Sequence, residues 1–302
     1  ITARRVRRPQ FSSPLSFATA ARDAGFDIMT TANNHCMDRG KEGLEATLRG
    51  LDSLGIPHLG TYRDTQQRME EHPMLVERNG IRIALLCYTY GTNGIRVQAP
   101  NVVNDFDTLM MRRDLQVAKE AATDFVIVLI HWVIEYQLKA NAQQEQLARW
   151  LMDNGCNAVI GGHPHVVQNF TADINPNNKR YPELVVYSMG NLISNQRNLH
   201  CDGGIMVSLD LEKRKGETEV TDYRYFSYWV NKTTEENRLR YYIIPSADAV
   251  EFPAYYGLSK TAMKALQLFD SNTRLRLQPE EADSLYYFPE IRFYQNGRVI
   301  PQ

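Results

Sequence analysis

Apolar positions fall into two regimes: helical spacing alternating with short unbroken apolar runs in the first half, and strand-like, often alternating segments in the second. Ser13-Pro14 opens a helical segment to about Ala24, Gly25 stops it, and Phe26-Asp27-Ile28-Met29-Thr30-Thr31 reads as a buried strand. Leu44, Leu48, Leu51 and Leu54 recur at helical spacing and predict a helix with a core-facing stripe, for which Asp38 has the chemistry of an N-cap. His58 follows in a short extended segment, Ile56-Pro57-His58-Leu59-Gly60, and reads as a structural histidine. Asn79-Gly80 between two apolar runs predicts a tight hairpin, because both residues tolerate the positive φ it requires. A helix over about 107–122 leads to the strand 124–130, whose unbroken apolar character implies burial on both faces. Another helix, 142–154, leads to the run Asn157-Ala158-Val159-Ile160. Beyond it the chain is mainly β: strands over 184–188, 204–211 and 219–230 predict antiparallel pairing, and a helix spans 259–269.

At 302 residues and 43% hydrophobic composition the chain can bury a large core, and its net charge of −1 excludes a general nucleic-acid binder. No apolar run approaches the ~20 residues of a membrane-spanning helix. The chain opens on Ile1 rather than methionine and shows no secretory signal there, so a signal or anchor upstream is compatible with it. Cys36, Cys87, Cys156 and Cys201 form no CxxC pair and read as buried free thiols. Arg4, Arg5, Arg7 and Arg8 read as a solvated arm, with a polyanionic ligand as the alternative.

Three strands end in groups suited to a metal: Asn34 and His35, then His131, then His163 and His165. In open α/β sheets ligands gather outside the carboxyl ends of strands, so such loops can converge. The break at Gly161-Gly162 presents His163-Pro164-His165, with Pro164 restricting φ between two imidazoles. A set of histidines and an amide oxygen suits a catalytic site for one or two borderline or hard divalent ions better than a structural zinc.

At these residues the sequence resembles the calcineurin-like metallophosphoesterases, and more specifically the CapA family of capsule and poly-γ-glutamate biosynthesis proteins. The matching pieces are Ala32-Asn33-Asn34-His35 with Asp38 and Gly40, His131-Trp132 with Glu135-Tyr136, Gly162-His163-Pro164-His165-Val166-Val167-Gln168, and Tyr187-Ser188 with Gly190-Asn191. The resemblance, over roughly residues 11–212, implies a four-layer α/β/β/α sandwich, expected to take in residues 1–244; residues 245–302, with one helix and no recognisable chemistry, are expected to be an appendage packed on it. The resemblance further implies that Asn34, His131 and His163 bind one metal of the Mn, Fe or Zn type, that His165 contributes to another, and that His35 acts beside a phosphate as acid or electrostatic stabiliser. Asp38, Glu135 and Asn191 become candidates for supporting or substrate-contacting roles, with an ordinary salt bridge as the plain alternative for Glu135.

Two departures from the family pattern shape the expectation. The Gly-Asp and Asn-Leu-Glu strand ends that supply carboxylate ligands do not occur before Phe11, so the fold is expected to lack its first strands here and the metal at His165, without those carboxylates, to bind weakly or not at all. Val133 replaces the glycine that usually follows His-Trp. The expected function is a metal-dependent phosphoesterase-type protein of capsule or poly-γ-glutamate synthesis or export. Its partners would be an anionic polymer or phosphoester and other capsule-synthesis proteins, and its place extracytoplasmic or on the cell surface. The alternative is a non-catalytic polymer-binding or assembly component that keeps the fold without the chemistry.

Overall fold

The computed structural model describes residues 10–174, 182–277, 294–295 and 298–299. The arginine-rich arm at residues 4–8 lies outside them. The chain divides into two units, Ile1–Val133 with Gln146–Gly161, and Ile134–Glu145 with Gly162–Gln302. The fold is mixed α/β with several sheets, as expected.

In the first unit α1 (Leu15–Asp23) stops where Gly25 takes a φ of 97°, a conformation open to a residue without Cβ. The strand expected over 26–31 shortens to β1 (Met29–Thr30), the two residues in register with β2 partners, while Thr31 still donates its N–H to the Leu59 carbonyl. Helix α2 (Gly40–Ser53) buries Leu44, Leu48 and Leu51 as their spacing requires, and Leu54 is its C-cap. β2 (His58–Leu59) pairs in parallel with β1, and His58 is buried with Nε2 3.1 Å from Asp52 Oδ1. There follow β3 (Thr61–Tyr62), the short polar helix α3 (Thr65–Glu71) and β4 (Met74–Arg78). β5 (Ile81–Thr89) returns antiparallel to β4 through Asn79 and Gly80, at φ 53° and 75°, the turn their dipeptide signals. β6 (Val102–Val103) pairs with β3, and α4 (Thr108–Glu120) is capped by Asp107, which accepts from the backbone of Leu109 and Met110. β7 (Phe125–His131) runs parallel to β5 and sets His131 opposite Thr89 at its carboxyl end. α5 (Ala142–Asp153) leads into β8 (Ala158–Gly162), the next strand beside β7.

A buried polar network ties α3 and α4 to β3 and β5. Asp114 of α4 accepts from Arg68 Nη2 at 2.6 Å and from the Tyr88 hydroxyl at 2.7 Å, and lies 3.3 Å from His72 Nε2. His72 Nδ1 is 3.0 Å from the Tyr62 hydroxyl, which also accepts the Gly60 N–H, and Arg68 Nε donates to Asn104 Oδ1 at 2.6 Å. A neutral His72 satisfies this arrangement: Nε2–H donates to Asp114 and Nδ1 accepts from Tyr62. Burial pushes His72 below its ordinary value, more than Asp114 pulls it up. Burial alone would raise the Asp114 carboxyl, but His72 and Arg68 together hold it below the ordinary value.

The second unit is largely antiparallel. β9 (Phe170–Ile174) pairs with β10 (Pro182–Val186), and β11 (Gly203–Arg214), β12 (Glu217–Glu235) and β13 (Arg238–Pro245) form a meander. α6 (Ser246–Glu251) precedes α7 (Lys260–Leu277), which outruns the expected end at Phe269 because Thr273 and Leu277 continue its buried face. Asp270 accepts from Ser227 Oγ of β12 at 3.1 Å. Among the described residues no helix is long and apolar enough to cross a membrane. The four cysteines are free; Cys87, Cys156 and Cys201 are buried and Cys36 is partly so.

The network makes stability depend on pH with a definite sign. Because His72 has a lower pKa folded than unfolded, its contribution is complete above the ordinary value of 6.5 and declines as pH falls below it. Asp114 adds a second loss only below its ordinary value of 3.8. The melting temperature is expected to fall between pH 7 and 5, with up to about 1.4 kcal/mol of stability lost per pH unit from this one proton. His72→Gln is expected to melt lower at pH 7 but with a flatter profile. An unchanged slope in that variant would remove His72 as the titrating group.

Candidate metal centre

The eight residues singled out by sequence fall into two sets, one in each unit. Asn34, His35, Asp38 and His131 belong to the first; Glu135, His163, His165 and Asn191 belong to the second.

In the first set, Asn33 Oδ1 accepts the His35 backbone N–H at 2.8 Å and folds the chain after β1 into a local turn. That turn carries Asn34 inward, where it is 2% exposed. Its Oδ1 lies 3.0 Å from His131 Nε2, although the residues are 97 apart in sequence. Asn34 Nδ2 donates to Asn93 Oδ1 at 3.3 Å, which orients the amide with its oxygen toward His131. The Tyr90 ring lies parallel to the His131 ring at 6.4 Å, and Tyr90 N–H donates to the His131 carbonyl. The two atoms that face each other, an imidazole nitrogen and an amide oxygen, are both neutral metal donors, so the pair fits a divalent cation.

Asp38 is not the cap of α2. Gly40, at φ 63°, is the first residue of α2, Arg39 takes the N-cap position, and no side chain caps it. The buried carboxylate instead receives the Phe11 N–H at 2.7 Å and lies 2.8 Å from His35 Nδ1. A carboxylate on Nδ1 fixes the imidazole so that Nε2 is left to give or take a proton, the logic of an orienting acid. Phe11 packs edge-on against His35 with ring centroids 4.6 Å apart. The neighbouring Cys36 is no nucleophile, because burial pushes its thiol up to about 11.

In the second set, one donor atom each from Glu135, His163 and His165 lies within 4.8 Å of the other two. His163 is buried, while Glu135 and His165 are partly exposed. His165 Nδ1 lies 2.8 Å from Asn191 Oδ1, and its Nε2 is 3.9 Å from Glu135 Oε1. Asn191 thereby holds His165 in the tautomer with Nδ1 protonated and leaves Nε2 for a cation, the usual orienting device for a histidine ligand. Asn191 Nδ2 is itself anchored on the Cys201 carbonyl at 2.8 Å. Two imidazoles and a carboxylate are a donor set that fits a divalent ion of the Mn, Fe or Zn type.

Backbone strain marks these loops. Ile134 and Tyr136 take φ of 72° and 65°, and His163 and His165 take 94° and 62° on either side of Pro164. Non-glycine residues rarely adopt such angles, and a run of them accompanies functional geometry. Pro164 therefore accounts for only part of the histidine geometry, since both of its neighbours are in the left-handed region. Tyr136 N–H donates to the Pro164 carbonyl at 2.8 Å, and the Tyr136 ring stacks on His165 at 5.7 Å. Gln168, wholly buried, donates to the carbonyls of Gln137 and Lys139 at 2.8 and 3.0 Å and accepts from Gln144 Nε2 at 2.9 Å. Tyr136 and Gln168 stand inside the quoted motifs without a part assigned to them, and Asn93 lies outside every motif quoted from sequence.

The strain is measurable by substitution. His163→Gly and His163→Ala remove the same imidazole, but only glycine takes a φ of 94° freely. The glycine variant is expected to be the more stable of the two by about 1 kcal/mol in denaturant unfolding. Equal stability, or alanine above glycine, would show that the backbone at 163 is relaxed.

The family model for the bacterial capsule synthesis protein PGA_cap matches residues 2–196. The capsule biosynthesis protein CapA of Bacillus anthracis is 28% identical over 186 residues, 59% of this chain and 42% of that protein. The PGA biosynthesis protein CapA of Bacillus subtilis (strain 168) is 28% identical over 209 residues, 66% of this chain and 51% of that protein. The chain thus spans about half the length of the curated relatives it matches. Among solved structures, the sulfate thiohydrolase SoxB of Thermus thermophilus aligns with a TM-score of 0.39 at 14% identity, over 87% of this chain and 40% of that one. With a family match that takes in the Asn34–His35, His131, His163 and His165 motifs together, the chain belongs to the bacterial capsule synthesis family PGA_cap, that of the CapA proteins.

Proposed function

We propose that this chain is a metal-dependent, phosphoester-hydrolysing member of the capsule synthesis family, with an anionic polymer or phosphoester as substrate. The observation that supports this most is the donor chemistry at two places: an amide oxygen facing an imidazole at Asn34 and His131, and a carboxylate with two imidazoles at Glu135, His163 and His165. Asn34, His131, His163 and His165 are the proposed ligands, and divalent ions bound there supply Lewis acidity toward phosphoryl oxygens. Metallophosphoesterase-type chemistry needs such neutral and anionic donors on loops at strand ends, and β7 and β8 deliver His131 and His163 in that way.

His35 is the proton-handling group in this reading. Asp38 holds its Nδ1, so Nε2 is the atom that donates to a leaving oxygen or steadies charge on phosphate. Asn191 plays the corresponding orienting part for His165 without adding charge. The relatives named for capsule and PGA biosynthesis motivate placing the activity in synthesis or export of an anionic surface polymer, at an extracytoplasmic site and alongside other capsule-synthesis proteins.

The test is hydrolysis of bis-p-nitrophenyl phosphate by the 302-residue chain, with metal content measured on the same samples. Activity is expected to vanish on chelation and return with Mn²⁺, and His35→Asn to lower kcat by about 10²–10⁴ while retaining metal. His163→Ala is expected to lose metal. Equal metal content in His163→Ala and the unaltered chain would overturn the ligand assignment, and turnover that survives chelation would overturn the chemistry.

A further inference from the structure

Glu135 is not drawn into the site by sequence proximity: 28 positions separate it from His163. It sits between Ile134 and Tyr136, both in the left-handed region, and faces His165, which is itself left-handed. The two loops are held by backbone and buried amide hydrogen bonds, Tyr136 N–H to Pro164 and Gln168 to Gln137 and Lys139. An ordinary surface ion pair needs none of this, since flexible side chains find each other at little gain and no backbone cost. Backbone strain on both sides of a carboxylate persists where surrounding structure holds it for a purpose. The donor atoms of Glu135, His163 and His165 already lie within 4.8 Å of one another. Small side-chain adjustments would bring all three to the ~2.0–2.2 Å bond lengths of a divalent ion.

We propose that Glu135 is a metal ligand that completes a two-histidine, one-carboxylate set with His163 and His165, and that this set binds one divalent cation with no ligand from outside the second unit. The proposal rests on the metal-dependent reading above and changes one part of it. The chain's own Glu135 carboxylate then serves the ion at His165, the charge that two imidazoles alone would lack. Two neutral imidazoles and one anionic oxygen leave a divalent ion with a net positive charge and open positions, which suits a phosphate or carboxylate group as further ligand. Asn191 is the positioning residue for this set, through His165 Nδ1.

The experiment is calorimetric titration of the 302-residue chain with Mn²⁺ alone, with melting of the metal-free proteins as a fold control. Glu135→Gln preserves the shape of the side chain, removes its charge and replaces one carboxylate oxygen with an NH2 group that cannot ligate a metal. It is expected to weaken Mn²⁺ binding at one site at least 10-fold, with unchanged melting of the metal-free form. The double variant Asn34→Ala/His131→Ala is expected to retain that binding event. Wild-type affinity in Glu135→Gln overturns Glu135 as a ligand, and loss of all binding in the double variant overturns the claim that the set binds its ion with no ligand from outside the second unit. An unaltered chain that takes up no Mn²⁺, Zn²⁺ or Fe²⁺ overturns the metal-dependent reading together with this one.

Discussion

Gln168 spends its whole buried amide on the loop that carries Glu135. Its nitrogen donates to the carbonyls of Gln137 and Lys139 and its oxygen accepts from Gln144, so the segment after Trp132 is clasped to the segment after β8. The clasp works against four left-handed residues, each costing on the order of 1–2 kcal/mol. Three buried hydrogen bonds contribute only about 0.5–1.5 kcal/mol apiece. They do not offset the strain alone. Val166 and Val167 are both essentially inaccessible, and burying each contributes about 1.5–3 kcal/mol, so burial and hydrogen bonding together bring the balance near zero. Packing and hydrogen bonds of this kind place the proposed ligands before an ion arrives, which spares binding the cost of ordering them.

The first unit solves the same problem with turns rather than strain. Asn33 folds the loop locally, Asn93 fixes the Asn34 amide, and a parallel strand pair sets the height of His131. Asp38 shows how burial redirects a side chain. A buried carboxylate must be satisfied, and with Arg39 in the N-cap position, the donors within reach are His35 and the Phe11 amide. The result is an oriented histidine where capping chemistry alone would predict a helix start. Beneath this, the Arg68, His72, Tyr88 and Asp114 network fixes α3 and α4 to the strands, with one compensated charge pair and a neutral imidazole.

The sequence was legible where one physical signal dominated. Core stripes announced α2, the Asn79-Gly80 dipeptide announced its hairpin, and an unbroken apolar run announced β7, because burial leaves a periodic trace. It was not legible where polar residues form regular structure. α3, with Thr65-Gln66-Gln67-Arg68, is fixed by its Asp64 cap and by Arg68 reaching Asp114; β13, with Arg238-Leu239-Arg240-Tyr241, is fixed by pairing with β12. The candidate ligands stood out because histidine and asparagine at strand ends are chemically conspicuous. The parts assigned to Asp38 and Glu135 did not, because they depend on the sign of φ at neighbouring residues and on contacts between distant loops, which no local pattern encodes. Amide side chains such as Asn93 and Gln168 leave still less trace, since their importance lies wholly in what they bond to.

In the reading proposed above, imidazoles and a carboxylate of this chain bind a divalent ion directly. X-ray absorption at the Mn K-edge of the metal-loaded chain in solution tests it most directly, because imidazole rings give a distinctive multiple-scattering pattern. A first shell of mixed nitrogen and oxygen is expected, with imidazole scattering that falls in His165→Ala. An all-oxygen shell without imidazole scattering, unchanged in that variant, would contradict it.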